Sequence, residues 1–419
     1  MSRFAHCRLP LSLLTLAIAS PLYAGTVSTD GVDLVIKTKG GFEVKTVDDA
    51  FSFQLGGRLQ LDMDSFNGVM TKNGKRADEA YLRRARLEAS GKVYSVWGYD
   101  FSVSFADNGD TSWKEASISY LGLDPVTLKF GRFDPDFGLE SATSSKWITA
   151  IERSMIYDLA PWVNDHQEGM GLQISASNQV LYGSASVNRP KNQEDTHGKN
   201  KNNYGLRVVY APLASAGNVL HFGASYANSQ GNEFDGRIRT RLGVRGTSED
   251  SANGNRLELA PKIKNANFDS DRAWGLELAW AHGPLSLQGE YLRRDLKADN
   301  SNKVKRNDRK AEGYYGQIAY TLTGESRGYK LDGGKFDKIK PNDKSLGAWE
   351  VFYRHDQIKV KESDFLDNKV KGHTFGVNWY ANEAVKISAN YVKVKTSEPS
   401  NKVGDKTGDA LSLRAQYVF

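Results

Sequence analysis

The chain has 419 residues, with 56 Lys+Arg against 50 Asp+Glu for a formal charge of +6, and a single cysteine. So small an imbalance excludes a chain-wide pull on nucleic acid, and any preference for anions must come from local placement. After the first 24 residues no stretch reaches the roughly 18 apolar residues of a membrane helix, which leaves strands as the only way across a bilayer.

The chain opens with basic Arg3 and Arg8, an apolar run from Leu9 to Ile18, then Pro21 and Ala24 before Gly25. This reads as a signal peptide over residues 1–24. Its removal takes two bases and no acid, leaving 54 against 50, or +4, and no cysteine. Export without disulfides or thiolate metal sites follows. Residues 25–419 read as one continuous barrel domain, within which 25–50, with "DLVIKTKGGFEVKT" at 33–46, are a periplasmic hairpin candidate.

From residue 51 onward the hydrophobic period is two. In "YDFSVSFAD", Tyr99, Phe101, Val103 and Phe105 alternate with Asp100, Ser102 and Ser104. The same alternation returns in "AWGLELAW" (Trp274, Leu276, Leu278, Trp280) and in "LSLRAQYVF", which ends on Phe419. Sixteen such segments start near residues 51, 80, 99, 116, 126, 169, 180, 204, 220, 273, 285, 313, 348, 373, 385 and 411. Tight turns at 122–125, 176–179, 282–284 and 381–384 alternate with long links at 133–168, 188–203, 228–272, 295–312 and 395–410.

Short turns on one rim and long loops on the other predict an all-β, sixteen-stranded antiparallel transmembrane barrel in a bacterial outer membrane. The lysine-rich link 323–347 fits poorly, because it falls on the short rim. Trp274, Trp280, Tyr314, Tyr320, Trp379 and Tyr380 suit interfacial girdles.

Loop 133–168 is too long for a hairpin link and too apolar to float in water, so it is expected to fold into the barrel. Within it "TSSKWITAIERS" reads as one short helix capped by Ser144 or Ser145, with Arg153 near the same element. A helix N-terminus there would offer free N–H groups to an anion. The second loop carries "GRIRTRLGVR" at 236–245. In an extended chain Arg237, Arg239 and Arg241 project to one face at roughly 6.7 Å spacing, and Arg245 continues it. Such a row passes an oxyanion from site to site; solvated loop arginines, or arginines on lipopolysaccharide phosphates, are the bland alternatives. On the strands, Arg58 sits on a polar face. Arg83 and Arg84 cannot both face the lumen unless a bulge re-aims one, which makes Arg84 and Arg86 the pair that alternation favours.

The stretches "LRRA" (82–85), "LKFGRF" (128–133), "DFGLESATSSKW" (136–147), "RIRTRLGVRG" (237–246), "SLQGEYLRR" (286–294), "AYTLTGESRGYKLDG" (319–333) and "GVNWYANEAVKISANYVK" (376–393) together resemble the phosphate-selective porins O and P. The resemblance implies a homotrimeric channel with two inward-folded loops, an arginine row and a central anion site. It would place Arg58, Arg83, Arg84, Ser144, Ser145 and Arg153 at that site, and Arg237, Arg239, Arg241 and Arg245 in the row. Three positions depart from the family pattern: Ser141 stands for a lysine, Lys114 for an aspartate and Asp134 for a tyrosine.

The expected function is passive uptake of phosphate-type oxyanions, phosphate or pyrophosphate, through an anion-selective pore. A general or organic-acid porin with a mild anion bias is the alternative. His166, His197, His221, His282, His355 and His373 are scattered without metal spacing or a serine partner, so neither an enzyme, a metal nor a cofactor is expected. The expected partners are small anions, outer-membrane lipid and lipopolysaccharide, and sister subunits, with no nucleic acid.

Overall fold

The computed structural model describes residues 25–29, 32–38, 41–107, 110–164, 169–189, 202–234, 236–248, 251–262, 268–298, 307–363, 365–398 and 400–419. The leader read at 1–24 lies outside them, as do 190–201 of the link 188–203 and 299–306 of the link 295–312.

Sixteen antiparallel strands form the barrel: β1 Ser52–Gly68, β2 Gly74–Val93, β3 Trp97–Asp107, β4 Asp110–Leu123, β5 Val126–Arg132, β6 Met170–Ser177, β7 Leu181–Arg189, β8 Asn202–Ser215, β9 Asn218–Phe234, β10 Phe268–His282, β11 Leu285–Ala298, β12 Arg309–Thr321, β13 Ala348–Glu362, β14 Leu366–Tyr380, β15 Val385–Thr396 and β16 Thr407–Val418. Every sequence segment corresponds to one strand. Several strands reach further toward the long loops than the pattern suggested, because β-pairing continues above the apolar zone where alternation fades. The ring closes when β16 pairs with β1, from Ala410 opposite Phe66 to Val418 opposite Arg58. Closure leaves no open edge in the hydrocarbon, where an unpaired backbone group would find no partner. Three further strands, Gly25–Thr29, Val32–Lys37 and Phe42–Thr46, pair in succession and join the lower end of β1.

The alternation is inverted relative to a soluble sheet. Trp274, Leu276 and Leu278 of β10 are 51%, 59% and 53% exposed, while Asp271, Glu277 and Arg207 face the lumen and are buried. Tyr380 is a correction to the girdle: its ring is buried on the lumen side and its hydroxyl donates to Glu350 at 2.8 Å. Trp379, its neighbour, points out and stacks on Trp349.

Three segments fill the lumen. Loop 133–169 enters with a four-residue helix, Leu139–Ala142, and buries Ile148, Ile151, Met155, Ile156, Leu159 and Trp162. Loop 235–267 carries a small hairpin, Ile238–Thr240 with Leu257–Ala260, and its Ile238, Leu242, Val244, Leu257 and Leu259 pack on the same cluster. Asp158 ties the two loops together by accepting from Thr240 Oγ1 at 2.7 Å and Arg241 N at 3.1 Å.

The third segment is the misfit 323–347. It rises from the short-turn side as a hairpin, Arg327–Lys330 with Lys335–Ile339, and seats Tyr329 and Phe336 against Val209, Ala211, Val219 and Ala279. It belongs on the short rim after all, because it turns inward instead of projecting.

A candidate anion pathway through the lumen

The helix expected over "TSSKWITAIERS" does not form. After a single turn at Ser144 the chain continues as a series of bends, and donors on the barrel wall and the inward hairpin take its carbonyls almost one by one. Gln60 donates to Ser145 O (3.2 Å), Gln416 to Lys146 O (3.1 Å), Arg327 to Trp147 O (2.8 Å) and Lys386 to Ile148 O (3.0 Å). Asn378 follows on Thr149 O (2.9 Å), Arg414 on Ile151 O (2.5 Å) and Arg354 on Glu152 O (3.0 Å). A buried carbonyl needs one partner, and wall donors supply what helical N–H groups would have supplied.

The N-terminus of the α-helical turn Leu139–Ala142 is also occupied from the wall. Leu139 N and Glu140 N donate to the Glu290 carboxylate at 2.6 and 3.0 Å. Gly138 makes this approach possible with φ of 78°, and a Cβ there would lie 2.1 Å from Tyr157 Oη.

Ser144 and Ser145 therefore do different work from capping. Arg58 donates to Ser145 Oγ at 2.6 Å and reaches Ser144 Oγ at 3.5 Å, while its other terminal nitrogen pairs with Glu88. Glu88 also holds Lys146 Nζ at 2.9 Å. A hydroxyl that accepts from a guanidinium keeps its own proton free to donate. These groups border a cavity of about 510 Å³, which Arg84, Arg86 and Arg153 also line. The three departures, Lys114, Asp134 and Ser141, lie on the same wall. Arg153 fastens the loop by donating to Glu140 O, Ser141 O and Thr143 O at 3.0, 3.2 and 3.0 Å, carbonyls at the C-terminal end of the short helix.

The arginine pair on β2 is settled by a bulge. Gln60 pairs with Arg84 and Leu61 with Leu82, so Arg83 is the extra residue and turns inward beside Arg84. Alternation alone forbids this; the bulge re-aims one side chain. Arg83 grips Glu152 with two bonds, 2.7 and 2.9 Å, and Arg414 holds the same carboxylate at 2.8 Å. Although burial pushes Glu152 up, Arg83 and its neighbours hold it well below the usual carboxylate range.

The arginine row is bent, which corrects the single extended face. Only Ile238–Thr240 is a strand, and the chain turns at Leu242 and Gly243, whose φ values are 58° and 76°. Leu242 tolerates this left-handed conformation because its side chain is fully buried in the apolar cluster that joins the loops. Arg237, at the outer end, pairs with Glu258 at 2.8 Å, and Arg239 lies opposite the same glutamate. That acid comes from the far side of the hairpin, out of sight of a linear reading. Across the turn Arg241 and Arg245 converge, with Arg256 beside them. Burial first, then repulsion from Arg245 and Arg256, pushes Arg241 down to about 10. Arg245 is lowered by burial and next by Arg83, so the row meets the β2 pair.

Elsewhere in the lumen, arginines face acids of the wall. Arg207 pairs with Glu277 (2.9 and 2.7 Å), Arg309 with Glu362 (3.0 and 2.6 Å), Arg414 with Asp62 (2.7 Å twice), and Arg294 with Asp271. Arg86, Arg241 and Arg245 have no such acid within ion-pair distance among the described residues, and the Nε atoms of Arg58, Arg86 and Arg241 are buried without a partner. Sequence reasoning left out Arg256 and Lys146, and it named Arg86 as a partner of Arg84 without placing it at the anion site. The alternation pairing Arg86 with Arg84 was the one available signal.

The profile of the phosphate-selective porin O and P family matches residues 53–419. Porin O of Pseudomonas aeruginosa is 51% identical over 97% of this chain and 98% of its own length. An uncharacterized protein of Caulobacter vibrioides is 23% identical over 81% of this chain and 68% of its own length. Among solved structures, an anion-selective porin from Comamonas acidovorans superposes with a TM-score of 0.58 at 11% identity, covering 88% of this chain and all of that one. OmpT of Vibrio cholerae, in a trimer form, gives 0.55 at 11% identity over 88% of this chain and all of its own. These likenesses bear on the fold alone. By its matched length and its close relative, the chain belongs to the phosphate-selective porin O and P family of the bacterial outer membrane.

Proposed function

We propose that the chain is a passive, anion-selective pore that takes up phosphate-type oxyanions, and that Arg237, Arg239, Arg241 and Arg245 deliver them to the site bordered by Arg58, Arg83, Arg84, Ser144, Ser145 and Arg153. The observation that carries this reading is the pair of buried, unpartnered Nε atoms of Arg58 and Arg86 on the wall of one cavity, with that of Arg241 at the bend of the row. Guanidinium grips an oxyanion with paired donors and stays charged at physiological pH. Several moderate sites in series allow both entry and release. The passage runs from the bent row through Arg83 and Arg84 to Arg58, Arg86 and the two serine hydroxyls.

The cavity wall carries nine cationic side chains against six carboxylates, a net +3. That moderates the binding and leaves room for a longer, more charged diphosphate as well as for phosphate. Ser141 and Asp134 favour a second reading, a porin for general or organic anions with a mild bias, because both lower the positive charge at the narrow point. In either reading residues 1–24 act as an export leader, and the barrel assembles as a homotrimer in contact with lipopolysaccharide.

Single-channel recording in chloride separates the readings. Micromolar to low-millimolar phosphate or pyrophosphate blocks the current if the site binds oxyanions. A current that is indifferent to both overturns the lead reading.

A further inference from the structure

The outward faces of β12 to β15 change character along their length. Near the short-turn rim they carry Trp349, Val377, Ile387 and, higher, Phe375 and Tyr391, as expected against hydrocarbon. Toward the other rim the same outward positions become lysine. The register sets these lysines against one another: Lys310 opposite Lys361, Lys359 opposite Lys369, and Lys371 opposite Lys395. Lys393 continues the grid beside His373.

Three carboxylates sit among seven lysines. Asp367 lies 2.9 Å from Lys359, Glu312 faces Lys359 across the ladder, and Asp409 faces Lys393. The lysines cannot turn inward for relief, because the alternating positions Val360, Val370, Val392 and Val394 are buried in the lumen cluster.

Like charges directly opposite each other oppose pairing in an antiparallel sheet. Seven lysines on four adjacent strands are therefore stable when an anionic layer lies against them. The strand geometry gives the depth of that layer: Lys371 is four residues above Phe375, about 13 Å along the strand. A surface that is aromatic below and basic above, on the same strands, matches a lipid with acyl chains below and phosphates above.

We propose that this lysine grid is a docking surface for the phosphorylated headgroup of an outer-leaflet glycolipid, lipopolysaccharide, with its acyl chains lying on the apolar band beneath. The proposal rests on the outer-membrane setting and not on the anion reading of the lumen. A protein partner is disfavoured because half of the matching surface lies at bilayer depth. The site is separate from the loop arginines, which face the lumen.

The test uses the whole protein extracted from outer membranes in mild detergent, with bound lipid A counted by native mass spectrometry. The triple variant Lys369→Gln, Lys371→Gln, Lys395→Gln is expected to retain about tenfold less lipid A, as removal of three phosphate contacts implies. Lys340→Gln with Lys344→Gln, in the periplasmic segment, is expected to leave the lipid content unchanged. Heat-modifiable migration and unchanged single-channel conductance check assembly of both. In a second arm the unaltered protein is reconstituted with lipid A or with its enzymatically dephosphorylated form; retention should follow the phosphates. Equal lipid content in the triple variant, equal retention of the dephosphorylated lipid, or loss of a bound protein in place of lipid would each overturn the proposal.

Discussion

Replacing Arg86 with Gln is the sharpest perturbation available, because this guanidinium lines the cavity without an acid at ion-pair distance. Taking it away strands no carboxylate, so the barrel should assemble normally. It does remove one of the three net charges of the cavity wall. A monovalent oxyanion at about 5 Å from a guanidinium gains roughly 0.8 kcal/mol in water and about 3 kcal/mol at an effective dielectric of 20. A half-wet cavity lies between these limits, so phosphate block should weaken by about tenfold, with a range of roughly 4- to 200-fold. The assay is the phosphate concentration that halves the chloride current through single channels. Arg414→Gln is the contrasting variant. It strips Asp62 of its cation, Glu152 of one of its arginine partners and Ile151 O of its donor, so it should cost about 3 kcal/mol or more in barrel stability before any effect on block is read. An unchanged half-blocking concentration in Arg86→Gln, with normal conductance, would refute the idea that unpartnered arginines bind the passing anion.

Ser141→Lys adds a cation to the same wall and should tighten phosphate block by about tenfold on the same Coulomb estimate; reversal potentials in a salt gradient should shift toward stronger anion preference. Arg327→Ala unfastens the periplasmic hairpin from Trp147 O and Glu350, leaving a buried carboxylate short of its cation at a cost of about 3–5 kcal/mol. Larger, noisier single-channel currents should follow, and a steady parental conductance would count against the clasp. Because burial and its arginine neighbours push Arg241 down only to about 10, its charge is lost as pH rises through that value and is fully present below it. Anion selectivity should therefore stay flat between about pH 6 and 9, the range in which arginine remains protonated. A decline within that window would point to a different titrating group.

All sixteen strands were legible because a membrane barrel writes its period twice, as apolar residues facing lipid and as turns alternating with loops. Phe51 to Leu61 and Leu411 to Phe419 each carry that pattern locally. The inward loop 133–169 was legible from its apolar content, for the same reason that it buries Met155 and Leu159. The helix within it was not. Serine followed by a helix-compatible run predicts a cap when the chain is considered alone, but Gln60, Gln416, Arg327, Lys386 and Arg414 reach those carbonyls from strands as far as 270 residues away.

The sequence by itself determined that this chain crosses a membrane as strands, how many, and that the apolar loop after β5 turns back into the lumen, since each of these depends on the order of polar and apolar side chains along a short stretch. Only the tertiary structure decided which arginines are available to an anion. Arg207 and Arg86 read alike in a strand, yet one meets Glu277 from two strands away and the other meets open space. A guanidinium's role is set by the charges within a few ångströms, and in a closed barrel those charges come from distant parts of the chain.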